Sequence, residues 1–76
     1  MNTIILATHK NQLMPSMFNV ITETEKAFKL EHESTLKTTW IPKSAMMINK
    51  GGYDSYTLAD WFRRKMPIWQ LSILQG

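Results

Sequence analysis

Arg63, Arg64 and Lys65 form the densest run of cations in the sequence, and Trp61 and Phe62 stand directly before them. Cations grouped in this way neutralise phosphates, and adjacent aromatic rings can stack exposed bases. The segment therefore points to salt-dependent contact with nucleic acid. Lys43, which follows Pro42 at the end of an extended run, is a further candidate, supported by Lys50 and Lys37. Loop residues at strand ends often point at ligands. The same cations also have a purely structural use, because positive charge in the last turn of a helix opposes its dipole. The candidate nucleic-acid contacts are thus Lys43, Arg63, Arg64 and Lys65. A rival surface lies in the tail Ile68–Gly76. Read as a strand, it puts Trp69, Leu71 and Ile73 on one side and Ile68 and Leu74 on the other. A strand apolar on both sides must be covered by its own domain, a second copy or a target protein.

Other chemistries find little support. There is no Cys, so no disulfide framework and no thiolate zinc site. His9 and His32 are the only imidazoles, and neither has a His or carboxylate at metal-ligand spacing. The five serines lie in no Gly-x-Ser-x-Gly elbow, and Gly51-Gly52 is not followed by the Lys-Ser or Lys-Thr of a phosphate-cradling loop. No catalytic residue, metal or cofactor is expected.

At 76 residues the chain is expected to be a single domain of marginal stability, because short chains bury a small share of their surface. The net charge of +3 is unevenly spread. Residues 1–34 hold three lysines against four glutamates, a net of −1, whereas residues 35–76 hold six cations against two aspartates, a net of +4. The positive potential belongs to the second half, which argues for an anionic partner. The N-terminus shows no charged n-region ahead of its short apolar run, and no stretch approaches the ~20 apolar residues of a membrane span. A soluble protein of a reducing cytoplasm is expected, without membrane contact.

These candidates need elements to position them. Thr3–Thr8 is β-branched and apolar and reads as a first strand, and Met17–Thr24 as a second after a polar connection. Glu25–His32 continues extended, with Phe28 and Leu30 on one face. Glu33-Ser34 turns the chain into Thr35–Ile41, where Leu36, Thr38 and Trp40 alternate against Thr35, Lys37, Thr39 and Ile41. Trp40 is expected as a core anchor, and Pro42 ends the pairing. Ala45–Ile48 forms one more strand before the loop 49–54. Thr57 is the expected N-cap of a helix over about 57–66, with Leu58, Trp61, Phe62 and Lys65 on one stripe and an Asp60–Arg64 pair on the wet side. Pro67 stops that helix at or before Met66. The fold class is small β-rich α+β, with four to six short antiparallel strands and one helix.

Glu23-Thr-Glu-Lys-Ala27, Trp40-Ile-Pro-Lys-Ser44 and Trp61 in a short basic helix together resemble a group of small uncharacterised proteins from bacteria and their phages or plasmids. The similarity covers about residues 20–66 and implies a strand beginning at the first motif and a hairpin partner ending at the second. It implies no functional residues and places the protein in a bacterial cytoplasm as a phage or mobile-element factor. The apolar tail departs from that pattern. The favoured reading is a non-enzymatic accessory or regulatory protein contacting nucleic acid through its basic second half. The alternatives are a protein–protein inhibitor or adaptor, or homodimer, using the C-terminal strand, and a small structural subunit of an assembly.

Overall fold

The structure, a computed structural model, describes residues 2–9, 15–50 and 54–75. Six strands carry the fold: β1 (Thr3–Ala7), β2 (Ser16–Glu23), β3 (Ala27–His32), β4 (Thr38–Pro42), β5 (Met46–Ile48) and β6 (Ser55–Leu58). A single 3-10 turn, Lys43–Ala45, joins β4 to β5, and two short helices follow the last strand, α1 (Asp60–Lys65) and α2 (Ile68–Gln75). The hydrogen-bonded order is β4-β3-β2-β1-β6-β5, antiparallel except for the β1–β6 pair, which is parallel. This is a small β-rich α+β domain. Among the described residues no helix is long and apolar enough to cross a membrane.

The connection between β4 and β5 dictates a curled sheet. These strands stand at opposite ends of the order, yet only three residues separate them. A flat sheet of six strands is about 24 Å wide, and three linking residues reach about 14 Å at most, so the sheet must roll until its edges approach. Two backbone bonds extend the ladders that flank this linker, one beside β3–β4 and one beside β5–β6. The Lys43 N–H donates to the Lys26 carbonyl at 2.7 Å, and the Ala59 N–H donates to the Ala45 carbonyl at 2.8 Å. A bulge in β2 between Val20 and Thr22 supplies further bending, as an extra residue in one strand of a pair does.

Rolling the sheet gathers one alternate face of each strand inside. Ile4 and Leu6 of β1, Phe18 of β2, Leu30 of β3, Ile41 of β4, Met46 of β5 and Leu58 of β6 form one core with Ala45 and, from α2, Leu74. Phe62 and Met66 pack against it from the α1 end. The one imidazole inside belongs to His32. Its Nδ1 accepts from the Ser34 and Thr35 backbone N–H groups at 3.1 and 3.4 Å, and its ring meets Phe18 edge to face at 5.1 Å. A ring nitrogen that accepts carries no proton, so the proton sits on Nε2.

The extended run over residues 17–32 is folded back on itself at Thr24–Lys26, where the Thr24 Oγ1 accepts from the Ala27 N–H at 3.0 Å. The next turn is longer than Glu33-Ser34. It runs to Lys37, whose carbonyl accepts from the His32 N–H at 2.9 Å, and β4 starts only at Thr38. Leu36 sits within it at φ 62° and is exposed. A left-handed backbone costs a residue with a Cβ roughly 1–2 kcal/mol, partly offset for glycine by its larger unfolded-state entropy. Leu36→Gly is therefore expected to raise stability by up to about 1 kcal/mol, read as a higher urea midpoint with an unchanged slope.

Three expectations are corrected here. Trp40 is not a core anchor: cross-strand partners share a face, and because Phe28 pairs with Ile41 and Leu30 with Thr39, Ile41 and Thr39 turn inward and Trp40 outward. Thr57 is not a helix cap. It lies in β6, its hydroxyl donating to Asn49 Oδ1 at 2.8 Å, and α1 begins at Asp60 after Ala59. The tail is not a strand. Residues 68–75 form α2, with Pro67 immediately before it and the Gln70 and Leu71 N–H groups donating to the Pro67 carbonyl. Paired glycines at 51–52 fall outside the described residues.

Candidate functional site

The helix α1 is six residues long and is held at both ends by the core. Leu58 and Ala59 are buried ahead of it, and Phe62 and Met66 pack inward. On so short a helix the inward positions are filled by Phe62 and Met66, so Trp61 is turned outward and remains 49% exposed. The expected stripe of Leu58, Trp61, Phe62 and Lys65 is thus broken, because Leu58 belongs to β6 and does not share the helical period. Trp61 stands edge-on to Phe62 at 5.7 Å between ring centres.

Around Trp61 the cations divide into tied and untied groups. Arg63 Nη2 donates to Asp60 Oδ1 at 3.2 Å, an i,i+3 pair that replaces the expected Asp60–Arg64 pair. Arg64 is exposed. Lys65 is also exposed, with its ammonium 5.9 Å from the centre of the Trp61 ring. Lys43 is placed elsewhere. Its Nζ is bonded to the Glu23 carboxylate and lies 4.9 Å from the Phe28 ring centre, so it is directed at the β2–β3 end and not at α1. The structure sets Lys65 beside Trp61, leaves Arg64 exposed on the same short helix, turns the half-buried Arg63 to Asp60, and leaves Lys43 outside that group.

Beside α1 lies an open groove of about 340 Å³. The exposed side chains of Met47 and Trp61 give it apolar walls, and Ser44, Thr57 and Asp60 supply polar atoms. Three structural decisions create it: the 3-10 turn presents Ser44, the edge strand β5 presents Met47, and the β6–α1 junction presents Asp60 next to Trp61. None of these residues was among the expected contacts, and Trp61 was expected on the buried stripe of the helix. The adjacent pair Asp60-Trp61 was the available signal, but the extra acceptor residues come from segments far apart in the chain.

The tail candidates do not share a face. On α2, Trp69 and Ile73 are one helical turn apart while Leu71 points to another side. Trp69 is 64% and Ile68 84% exposed, and Leu74 is fully buried. The helix is fastened to β4 by Gln70, whose Nε2 donates to Thr39 Oγ1 at 3.0 Å and to the Trp40 carbonyl at 3.1 Å.

Searches against family models, curated proteins and solved structures find no match to this chain. Function is therefore argued from the surface itself.

Proposed function

We propose that this protein is a non-enzymatic nucleic-acid-binding module whose contact surface is the outer side of α1. The observation that carries the reading is the half-exposed Trp61 on one short helix with the exposed Arg64 and Lys65, whose ammonium lies 5.9 Å from the indole ring centre. An indole left in water loses the stabilisation that burial would give it, and the cations on the same helix can neutralise the phosphate of a nucleotide whose base meets the ring. Arg64 and Lys65 supply the electrostatic contacts. Arg63, paired with Asp60 at a solvated site, is tied only weakly, since exposed ion pairs are worth about 0–1 kcal/mol.

Replacing Arg64 and Lys65 together with Ala is expected to weaken binding to a short oligonucleotide about tenfold or more at low salt. It should also flatten the salt dependence by about 1.4 in the log–log slope, the share of two phosphate contacts on a single strand. Fluorescence anisotropy at several salt concentrations reads both quantities. An unchanged affinity and slope would remove α1 from the interface.

One observation favours a second reading, a protein-binding adaptor or inhibitor. Ile68 and Trp69 expose large apolar side chains side by side at the start of α2, and an aliphatic Ile offers a base nothing to stack on. Such residues suit a protein partner. The charge of the second half and the position of Trp61 weigh for nucleic acid.

A further inference from the structure

We infer that the groove beside α1 is a pocket for a guanine base of a single-stranded nucleic acid, with Trp61 as its stacking face and Asp60 as its hydrogen-bond acceptor. This rests on the nucleic-acid reading above and adds to it the form of strand and the base selected.

The groove is at the lower end of the size of small-ligand clefts, about 300–1,000 Å³, and it combines three chemistries. A flat aromatic wall at Trp61 is flanked by the flexible thioether of Met47. An acceptor, the Asp60 carboxylate, stands at the same rim. Exposed cations, Arg64 and Lys65, continue from that rim along the helix. A fitting ligand is planar and rich in donors where it enters the groove, and anionic where it leaves. A nucleotide within a strand has this polarity. A basic peptide side chain would suit Asp60 and Trp61, but the three neighbouring cations repel it. A base stacked inside a duplex cannot enter a groove of this kind, whereas an unpaired base can be splayed onto an aromatic ring.

The acceptor decides which base. An ionised carboxylate accepts and does not donate, and its two oxygens have about four lone-pair sites in all. Arg63 Nη2 takes one of them on Oδ1 and leaves the others open. Guanine presents N1–H and N2–H side by side on its Watson–Crick edge, matching the two oxygens with two parallel bonds. Adenine and cytosine each set an acceptor beside their amino group, and thymine flanks its single N–H with two carbonyls. All three bring a lone pair against the carboxylate. The Ser44 hydroxyl can donate to guanine O6, and the Thr57 oxygen, whose hydrogen goes to Asn49 Oδ1, can accept from the sugar.

The test uses labelled single-stranded dT ten-mers carrying one central dG, dA or dC, with plain dT as reference, titrated by anisotropy against the whole protein. The dG strand is expected to bind about tenfold tighter than the others, the value of one good bidentate base contact. Asp60→Asn keeps the shape but puts a donor where guanine also donates. It should remove the dG preference and leave dT affinity equal or higher, since a negative charge is lost. Trp61→Ala should weaken all four strands. Equal, salt-sensitive binding of all four by the native protein would overturn the guanine pocket and leave the proposed function standing. A dG preference that survives Asp60→Asn would also overturn it. Binding of none would overturn both.

Discussion

Phe18→Ala is expected to cost about 3–5 kcal/mol, the largest loss from any single core truncation in this sheet. Phe18 is fully buried at the centre of the rolled sheet, on the strand that pairs with both β1 and β3. Its ring packs within the core cluster and meets the His32 imidazole edge to face. Truncation would remove the largest inward side chain and open a cavity that a curled sheet cannot close. A domain of this length has about 4–11 kcal/mol of total stability, so the loss takes from about a quarter to all of it. Circular dichroism with urea titration measures the outcome. A loss below about 1 kcal/mol would show that the sheet does not close around Phe18.

Leu74→Ala is the second large effect, about 2–5 kcal/mol. Leu74 lies one residue from the end of α2 and is completely buried in the same core as Leu6 and Leu30. The chain thus uses its tail to finish its own core, and α2 is held there by the Gln70 bonds to Thr39 and Trp40. Ile68 and Trp69, at the other end of the helix, contribute little of this. The decisive comparison is the thermal midpoint of Leu74→Ala against Trp69→Ala. A drop confined to the Leu74 variant supports the packing described; equal, small shifts would mean that α2 is not docked.

Most of the strands were legible because their signals are local, but β6 was not, since Thr57 and Leu58 read as the start of the helix. β-branched and aromatic residues at alternate positions mark β1, β2 and β4, and Pro42 and Pro67 mark ends that the structure respects, since β4 stops at Pro42 and α1 at Lys65. The phase of β4 was less so. Trp40 and Ile41 are both apolar, and only the register with Phe28 and Leu30 says which of them faces inward. The tail failed for a related reason: Ile68–Gln75 is apolar on nearly every side, so neither a period of 2 nor one of 3.6 stands out, and length alone does not separate a buried strand from a buried helix. The β1–β6 parallel pairing was also out of reach, because nothing local in Ser55–Leu58 distinguishes a parallel from an antiparallel partner.

The site was legible in its charges and not in its shape. The cation run and Trp61 can be read directly from the sequence, whereas the exposure of Trp61 depends on the helix beginning at Asp60 instead of Thr57. That start displaces the indole from the core stripe to the surface. The loss of Lys43 from the group has the same origin. Its partners Glu23 and Phe28 are brought to it by the β2–β3 hairpin and the roll of the sheet, which no local pattern records.

The most direct measurement is a two-dimensional NMR titration of the ¹⁵N-labelled protein with a short single-stranded oligonucleotide at low salt, following backbone amides and the three indole N–H signals together. Nucleic-acid binding through α1 predicts saturable shifts centred on residues 60–65 and on the Trp61 indole, fading as salt is raised, with Trp69 unmoved. Shifts confined to Ile68 and Trp69, or a spectrum that does not change at all, would contradict it.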